Sequence, residues 1–356
     1  MTKALLSQEI KNGTSHEKAV ADNHLLHLSS SPHLRHFHTV PYILKNVIFA
    51  LIPAAITSVL LFQLEAIVVI SLCISTAMGT EWLFCKILKR PSTLSDHSAI
   101  VTGLLLALSL PPLVPWWIAV AGSFFAICIA KMLFGGLGCN LVNPALAGRL
   151  FLTICFPIIM ISSWKTPSWG TISGVDAVSA ATPLAYLKEV VQSGSFDISY
   201  LQNAILHLFI GNVGGSLGET SVFALLLGAS WLWYKKIIGF KIPIIFVGSF
   251  FLLSWLFNGT GNLFSPDALL IPVLQTFAGG LMLGALFMAN DSVTSPITPL
   301  GKVVFGLGCG LLTFVFRNYT IFAEGVGFAI LIMNVFAPLI EKYTKPKVYG
   351  KISLKG

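Results

Sequence analysis

Residues 46–85 read NVIFALIPAAITSVLLFQLEAIVVISLCISTAMGTEWLFC, and the fold class turns on them. Glu65 and Glu81 are the only charged side chains in this stretch. An apolar segment of about 18 residues is already long enough to enter a bilayer as a helix. The stretch therefore predicts two spanning helices in succession, near 46–64 and 66–85. Comparable runs recur downstream as far as Ile340. They place further helices near 98–112, 114–131, 145–163, 219–234, 242–258, 268–288, 303–316 and 324–340. The sum is an all-α polytopic membrane protein of about ten transmembrane helices. Composition agrees, because the chain is 55% hydrophobic and only 10% charged. A soluble domain carries about 25% charged residues to face water.

The ends differ from the middle. Residues 1–44 are polar and hold His16, His24, His27, His33, His36 and His38. They lack the apolar core of a signal peptide, so the first apolar run is read as a permanent helix. The division is a cytoplasmic tail over 1–44, a membrane domain over 45–341 and a second cytoplasmic tail over 342–356. The histidine spacing matches no compact metal motif, and no metal site is assigned. The six cysteines, Cys73, Cys85, Cys128, Cys139, Cys155 and Cys309, form no C-x-x-C pair. They read as small buried residues rather than as ligands of an iron–sulfur cluster.

A net charge of +8 on a soluble protein would suggest nucleic acid. Here the positive-inside rule accounts for it without a nucleic-acid partner. With the N-terminus cytoplasmic, 19 of the 22 Lys and Arg residues fall on one side, Lys131 and Arg149 among them. Lys165, Lys188 and Arg317 fall on the other. An even number of crossings with both termini inside follows, and the loop over 164–201 then faces the exterior.

Three stretches depart from plain spanning helices. Gly135-Gly136-Leu137-Gly138-Cys139-Asn140 leads into Asn143-Pro144. The segment Ala204 to Ile210, too short to span, runs into Gly211-Asn212-Val213-Gly214-Gly215. Asn290-Asp291-Ser292 is followed by Pro296 and Pro299. Gly, Asn and Pro leave backbone groups unpaired, which lipid cannot satisfy. Such segments line a polar cavity or are tight turns at the interface. Asn140, Asn143 and Asp291 are the cavity candidates. Gly103 to Lys131 and Gly280 to Arg317 share an outline of helix, break and helix, which hints at duplication. Among acidic residues near apolar segments, Glu81 is placed to pair with Lys89 or with a neighbouring subunit. Glu65 and Glu324 are placed at the outer interface and Asp291 at the inner one. Arg149 reads as a holder of phosphate or an acidic partner, or as an inner-surface anchor.

The exterior loop contains Asp176-Ala177-Val178-Ser179-Ala180-Ala181-Thr182-Pro183-Leu184. Read from the residues alone, Thr182 is a helix N-cap ahead of Pro183. The pattern also resembles the D-x-x-[ST]-[GA]-A-T acceptor signature of flavin transferases, which join FMN to a threonine hydroxyl through a phosphodiester. Small residues at Ala180 and Ala181 leave the backbone approachable. The signature makes Thr182 the attachment point, with Asp176, Ser179 and Ala181 as parts of the recognition motif.

The resemblance extends along the chain from Ser30. Ser30-Ser31-Pro32-His33, Ala50-Leu51-Ile52-Pro53-Ala54, the glycine-asparagine stretch with Asn143-Pro144-Ala145, and Phe287-Met288-Ala289-Asn290-Asp291 with Thr294-Ser295-Pro296 occur in order. Arg317, Glu324-Gly325-Val326 and Asn334 complete it. The chain in this respect is similar to the D subunit family of Rnf electron-transport complexes. Family members often have Thr where this chain has Asn290. The B subunit of the sodium-translocating NADH:quinone reductase is the sister family and shares the flavinylated threonine.

The resemblance implies a urea-transporter-like fold of two related halves with broken helices, in a bacterial inner membrane. It implies covalent FMN at Thr182, and a second noncovalent flavin such as riboflavin in the wider group, for which Asn140, Asn143 and Asp291 are the candidate positions. The implied partners are the other subunits of a six-subunit Rnf-type complex, above all the G flavoprotein subunit, with a flavin transferase for maturation. The chain itself would relay electrons within an ion-translocating ferredoxin:NAD oxidoreductase and carry no catalytic residue of its own. Two competing functions remain: a solute channel on the same fold without redox chemistry, and a structural scaffold. The Asp176-to-Thr182 signature separates the flavoprotein reading from the channel, and the scaffold reading predicts that Thr182 can be replaced without loss of activity.

Overall fold

The computed structural model describes residues 39–90, 93–165, 167, 198–211, 213–258, 269–320 and 324–345. Among these residues the structure is helical, with no strand. The first two helices, α1 (Val40–Phe62) and α2 (Leu64–Ile87), run back to back. A single residue, Gln63, turns the chain between them with φ of 54°. Next come α3 (Ser98–Ser109) and α4 (Trp116–Ile127), the latter ending in a π-helical turn, Cys128–Met132. The helix α5 (Pro144–Cys155) is separated from α6 (Pro157–Ser162) only by Phe156, because Pro157 cannot continue the hydrogen-bond ladder.

The remaining elements are α7 (Ile198–Ile210), α8 (Val222–Tyr234), α9 (Lys241–Asn258) and α10 (Leu270–Phe277). After α10 the chain bends by 63° into α11 (Leu281–Leu283), which passes into a second π-helical turn, Gly284–Met288. The long helices α12 (Pro299–Tyr319) and α13 (Val326–Thr344) close the order.

Length and apolarity qualify α1, α2, α12 and α13 as membrane-spanning one by one, and the bent pair α10–α11, if counted as one broken span, would make five. Five further helices, Ser98–Ser109, Trp116–Met132, Pro144–Cys155, Val222–Tyr234 and Lys241–Phe257, are apolar but shorter. The protein is thus a helical, multi-pass membrane protein. The short segment expected at Ala204 to Ile210 is in fact a 13-residue helix, α7, because the helix begins upstream at Ile198.

Burial divides the helices. In α3 every residue from Ser98 to Ser109 is buried except Ile100. By contrast α1 and α2 bury just 28% of their most apolar windows, as expected where lipid covers the rest. With lipid outside, helix contact depends on close packing more than on water exclusion, so small residues mark the seams. Gly103 of α3 sits against α2 so closely that an added Cβ would lie 2.9 Å from the Cys73 carbonyl oxygen. Gly148 of α5 meets the Gly122 carbonyl of α4, where a Cβ would lie 2.7 Å away.

The short helix α3 stops inside the protein, and its end is satisfied by protein. Leu217 and Gly218 donate their amides to the carbonyls of Leu110 and Leu108 at 3.0 and 2.7 Å. The Ser58 hydroxyl in turn donates to the Leu217 carbonyl at 2.5 Å. A buried helix terminus without such partners would carry orphan carbonyls into lipid.

Candidate functional site

The π-helical turn after α4 begins the site. Leu133 N–H bonds the Cys128 carbonyl at 3.0 Å, five residues back, which widens the helix by one residue. Lys131 lies in this turn and is only 1% exposed. Its Nζ donates to Glu81 Oε2 of α2 at 2.6 Å and to Ser98 Oγ, the first residue of α3, at 2.7 Å. Glu81 itself is 0% exposed. Its second oxygen accepts from the Thr93 hydroxyl, and Cys85 Sγ lies 3.8 Å from that hydroxyl. An unpaired charge here would be far from water and costly, so each partner fixes the other.

These contacts correct two expectations. Glu81 pairs with Lys131 rather than with Lys89, although Lys89 is closer in sequence. Lys131 is an interior residue and not part of a charged cytoplasmic loop. The signal that points to the pair is that Glu81 and Lys131 are both charges set within otherwise apolar segments, where neither is stable alone.

Lys131 and Ser98 also form part of the wall of a cavity of about 100 Å³. Asn140, Asn143 and Asp291 line the same cavity, together with Asn290, Ser292 and Phe287. The structure therefore brings the three candidate positions together from two breaks about 150 residues apart in sequence. An adjoining cavity of about 140 Å³ shares Asn140, Ser292 and Val293 and adds Thr294, Asn334 and Glu341.

Each of the three has a distinct local role. Asn143 is the N-cap of α5: its Oδ1 accepts from Ala145 N at 3.0 Å and Leu146 N at 3.4 Å. Its Nδ2 donates to the Met288 carbonyl at 3.2 Å, at the end of the second π-helical turn. One side chain thus satisfies an orphan donor pair and an orphan acceptor on two different broken helices. Asn334 of α13 joins this network, donating to the Thr294 carbonyl at 3.3 Å and accepting from Asn143 N at 3.2 Å. Asn140 Oδ1 is buried without a hydrogen-bond partner among the described residues. Asp291 accepts from Val293 N at 3.4 Å and the Thr294 hydroxyl at 3.2 Å. Burial raises the Asp291 carboxyl above its ordinary value, against these hydrogen bonds, which lower it.

A second ionic cluster joins other helices. Arg149 of α5 donates to Glu219 Oε1 at 2.8 Å and to Glu324. Arg149 lies in the middle of α5, so it binds acidic partners within the chain instead of anchoring the inner surface or counting as a cytoplasmic loop charge. Gly280, at the α10–α11 bend, leaves room for it: an added Cβ would lie 3.3 Å from Arg149 Nη1 and collide with Glu219. Arg317, near the end of α12, also feels the charge of Glu219. It donates to the Gln275 carbonyl and, at 3.0 Å, to the Ala278 carbonyl. Its guanidinium stacks 4.9 Å from the Phe250 ring centroid. Glu65 pairs with Lys165 at 2.6 Å in a more exposed setting.

Thr182, Asp176, Ser179 and Ala181 lie outside the described residues, as does the histidine-rich tail. Among the described residues no group of three or more His, Cys, Asp or Glu side chains is arranged to hold a metal.

The model of the NQR2, RnfD, RnfE family matches residues 27–350, nearly the whole chain. The chain belongs to this family. Within the family it is similar to D subunits. One is the D subunit of the Na(+)-translocating ferredoxin:NAD(+) oxidoreductase complex of Acetobacterium woodii, 42% identical over 93% of this chain and 97% of its own. Another is the D subunit of the proton-translocating ferredoxin:NAD(+) oxidoreductase complex of Clostridium ljungdahlii, 43% identical over 91% of this chain and 96% of its own. The D subunit of the ion-translocating oxidoreductase complex of Escherichia fergusonii is 36% identical over 91% and 98%. The breaks that build the cavity, at Asn140–Asn143 and Asn290–Asp291, both lie inside the region matched by the NQR2, RnfD, RnfE family.

Proposed function

We propose that this chain is the membrane flavoprotein subunit of an ion-translocating ferredoxin:NAD oxidoreductase complex, carrying FMN on Thr182 through a phosphodiester. The observation that carries the proposal is the Asp176–Thr182 acceptor signature in a chain whose relatives at 36–43% identity are D subunits of such complexes. Flavin suits a relay because it accepts and releases one or two electrons, while the protein sets position and electrostatics. The relatives named above differ in their ion, sodium in one and protons in the other, at nearly equal identity.

The proposal includes a ten-span topology in a bacterial inner membrane, with both termini cytoplasmic and the flavin loop over 164–201 exterior. Its support is the one-sided distribution of Lys and Arg and the helical segments at each expected span. A two-fold repeat of the urea-transporter kind is supported by the paired occurrence of a π-helical turn in each half, Cys128–Met132 and Gly284–Met288. The partners are the G flavoprotein subunit, the remaining subunits of a six-subunit assembly, a flavin transferase and lipid.

A second, noncovalent flavin such as riboflavin is assigned to the cavity of Asn140, Asn143 and Asp291. The donor set fits one edge of the ring system. Asn140 Oδ1 is a buried acceptor awaiting an N–H, and an isoalloxazine presents an imide N–H between two carbonyls. The enclosed volume of about 100 Å³ holds that edge alone. Small-molecule sites of about 300 Å³ or more hold whole ligands, so the remainder would extend toward the mouth. In this reading Asn140 and Asn143 orient the ring and the apolar wall of Val101, Leu105 and Phe287 excludes water from it.

The test uses the chain produced together with its flavin transferase. Denaturing electrophoresis under ultraviolet light and intact mass are compared for the native chain and Thr182→Ala. A fluorescent native band heavier by FMN less one water, and absent in the variant, is expected. A dark native band at the unmodified mass would sink the covalent-flavin reading and favour the channel.

A further inference from the structure

Among the described residues the cavity wall contains one cation, Lys131, whose counter-ion Glu81 is not part of the wall. Lys131 carries three N–H donors, and Glu81 and Ser98 take two of them. Glu81 does not line the cavity, but it is held in place by the Thr93 hydroxyl on its other oxygen. The cavity thus meets a positive end of a buried dipole whose negative end points away into α2. Apolar replacements of buried ion pairs commonly cost nothing or stabilise, so stability alone does not account for this one. The other charged side chain of the wall is Asp291, which is hydrogen-bonded by Thr294 and the Val293 amide.

We propose that the Lys131–Glu81 pair sets the reduction potential of the flavin assigned to this cavity. This deepens the second-flavin reading and rests on it. Reduction adds negative charge to the ring system, and in a low-dielectric wall a nearby ammonium favours the more negative form. Glu81 attenuates that field by an amount fixed by its pairing. Lys131 is the member of the pair that borders the cavity, and Glu81 and Thr93 are positioning residues acting through it. The sign of the effect follows: loss of Lys131 leaves a bare carboxylate and lowers the potential, whereas loss of the Glu81 charge leaves a bare ammonium and raises it.

The experiment uses the purified full-length chain with Thr182→Ala, which removes covalent flavin, and riboflavin as the probe. Retained riboflavin is measured after gel filtration, and its midpoint potential by spectroelectrochemical titration. Lys131→Gln is expected to lower the potential and Glu81→Gln to raise it, with the double variant returning toward the parent value. Shifts of the same sign in both single variants, or none in either, would overturn the inference while leaving the cavity reading intact. Failure of the parent chain to retain riboflavin would instead overturn the cavity reading, and this inference with it. Where one single variant does not accumulate, the other carries the test alone, and a shift opposite to its expected sign, or none, overturns the inference.

Discussion

Lys131 and Arg317 are the two cations that lie almost wholly inside the protein among the described residues, at 1% and 4% exposure, and they are stabilised by different means. Lys131 is a compact charge and is met by a compact counter-charge, the Glu81 carboxylate at 2.6 Å. Arg317 spreads its charge over a planar fork. That fork reaches two backbone carbonyls, Gln275 and Ala278, at the end of the short helix α10, and lies over the Phe250 ring. The last carbonyls of a helix carry partial negative charge, so a helix cut short inside the membrane supplies its own anchor for a cation. The first region is a pair that removal of either member unbalances. The second is a clamp on a bent backbone, in which Glu219 acts at longer range.

The largest expected effect tests the pair. Lys131→Met leaves Glu81 buried and alone, and should destabilise the chain by about 3–5 kcal/mol. Adding Glu81→Met to it should restore most of that loss. Thermal unfolding in detergent, read as the fraction surviving in monodisperse form, checks both, and a double variant no better than the single would break the pairwise account.

The clamp should respond to shape more than to charge. Arg317→Lys keeps the charge but cannot span both carbonyls, and a loss of about 1.5–3 kcal/mol is expected, as for a hydrogen bond to a charged group. If Arg317→Lys behaved like the native chain in the same unfolding measurement, charge alone would hold the α10 bend. Asn143→Ala removes the α5 cap and the bond to Met288, and should cost about 1–2 kcal/mol. It should also raise hydrogen exchange at Ala145 and Leu146. Smallest is the outer pair of Glu65 and Lys165, whose carboxylate is 33% exposed. Lys165→Gln should change stability by less than about 1 kcal/mol, because water screens what the protein does not enclose. A larger loss there would blur the contrast between enclosed and open pairs.

Much of the architecture is legible in the amino-acid sequence. The apolar runs locate the helices to within a few residues for most elements, as at 242–258 against Lys241–Asn258. The Gly, Asn and Pro clusters mark where helices break, and two of those breaks meet at the cavity. Two charged residues are misread from sequence for one reason, that local position stands in for contact. Lys131 reads as a cytoplasmic-side charge because it ends the expected helix 114–131, yet a π-helical turn keeps it inside. For Glu81, helical spacing offers Lys89, and the packed helices offer Lys131 instead. Arg149 is read either as the holder of an acidic partner or as a cytoplasmic anchor, and its pairing with Glu219 and Glu324 within the chain selects the first.

Hydropathy and motif order are sums over neighbouring residues, and they are enough to establish the solvent, the helical class, the approximate placement of breaks and the family. Which charges meet is a property of the packed helices alone. The partners of Lys131 and Arg149 lie 50, 70 and 175 residues away. No local pattern encodes such a distance. Burial in lipid makes every lone charge costly, so the fold must find each one a partner, but the partner is chosen by the packing of helices that are remote in the chain.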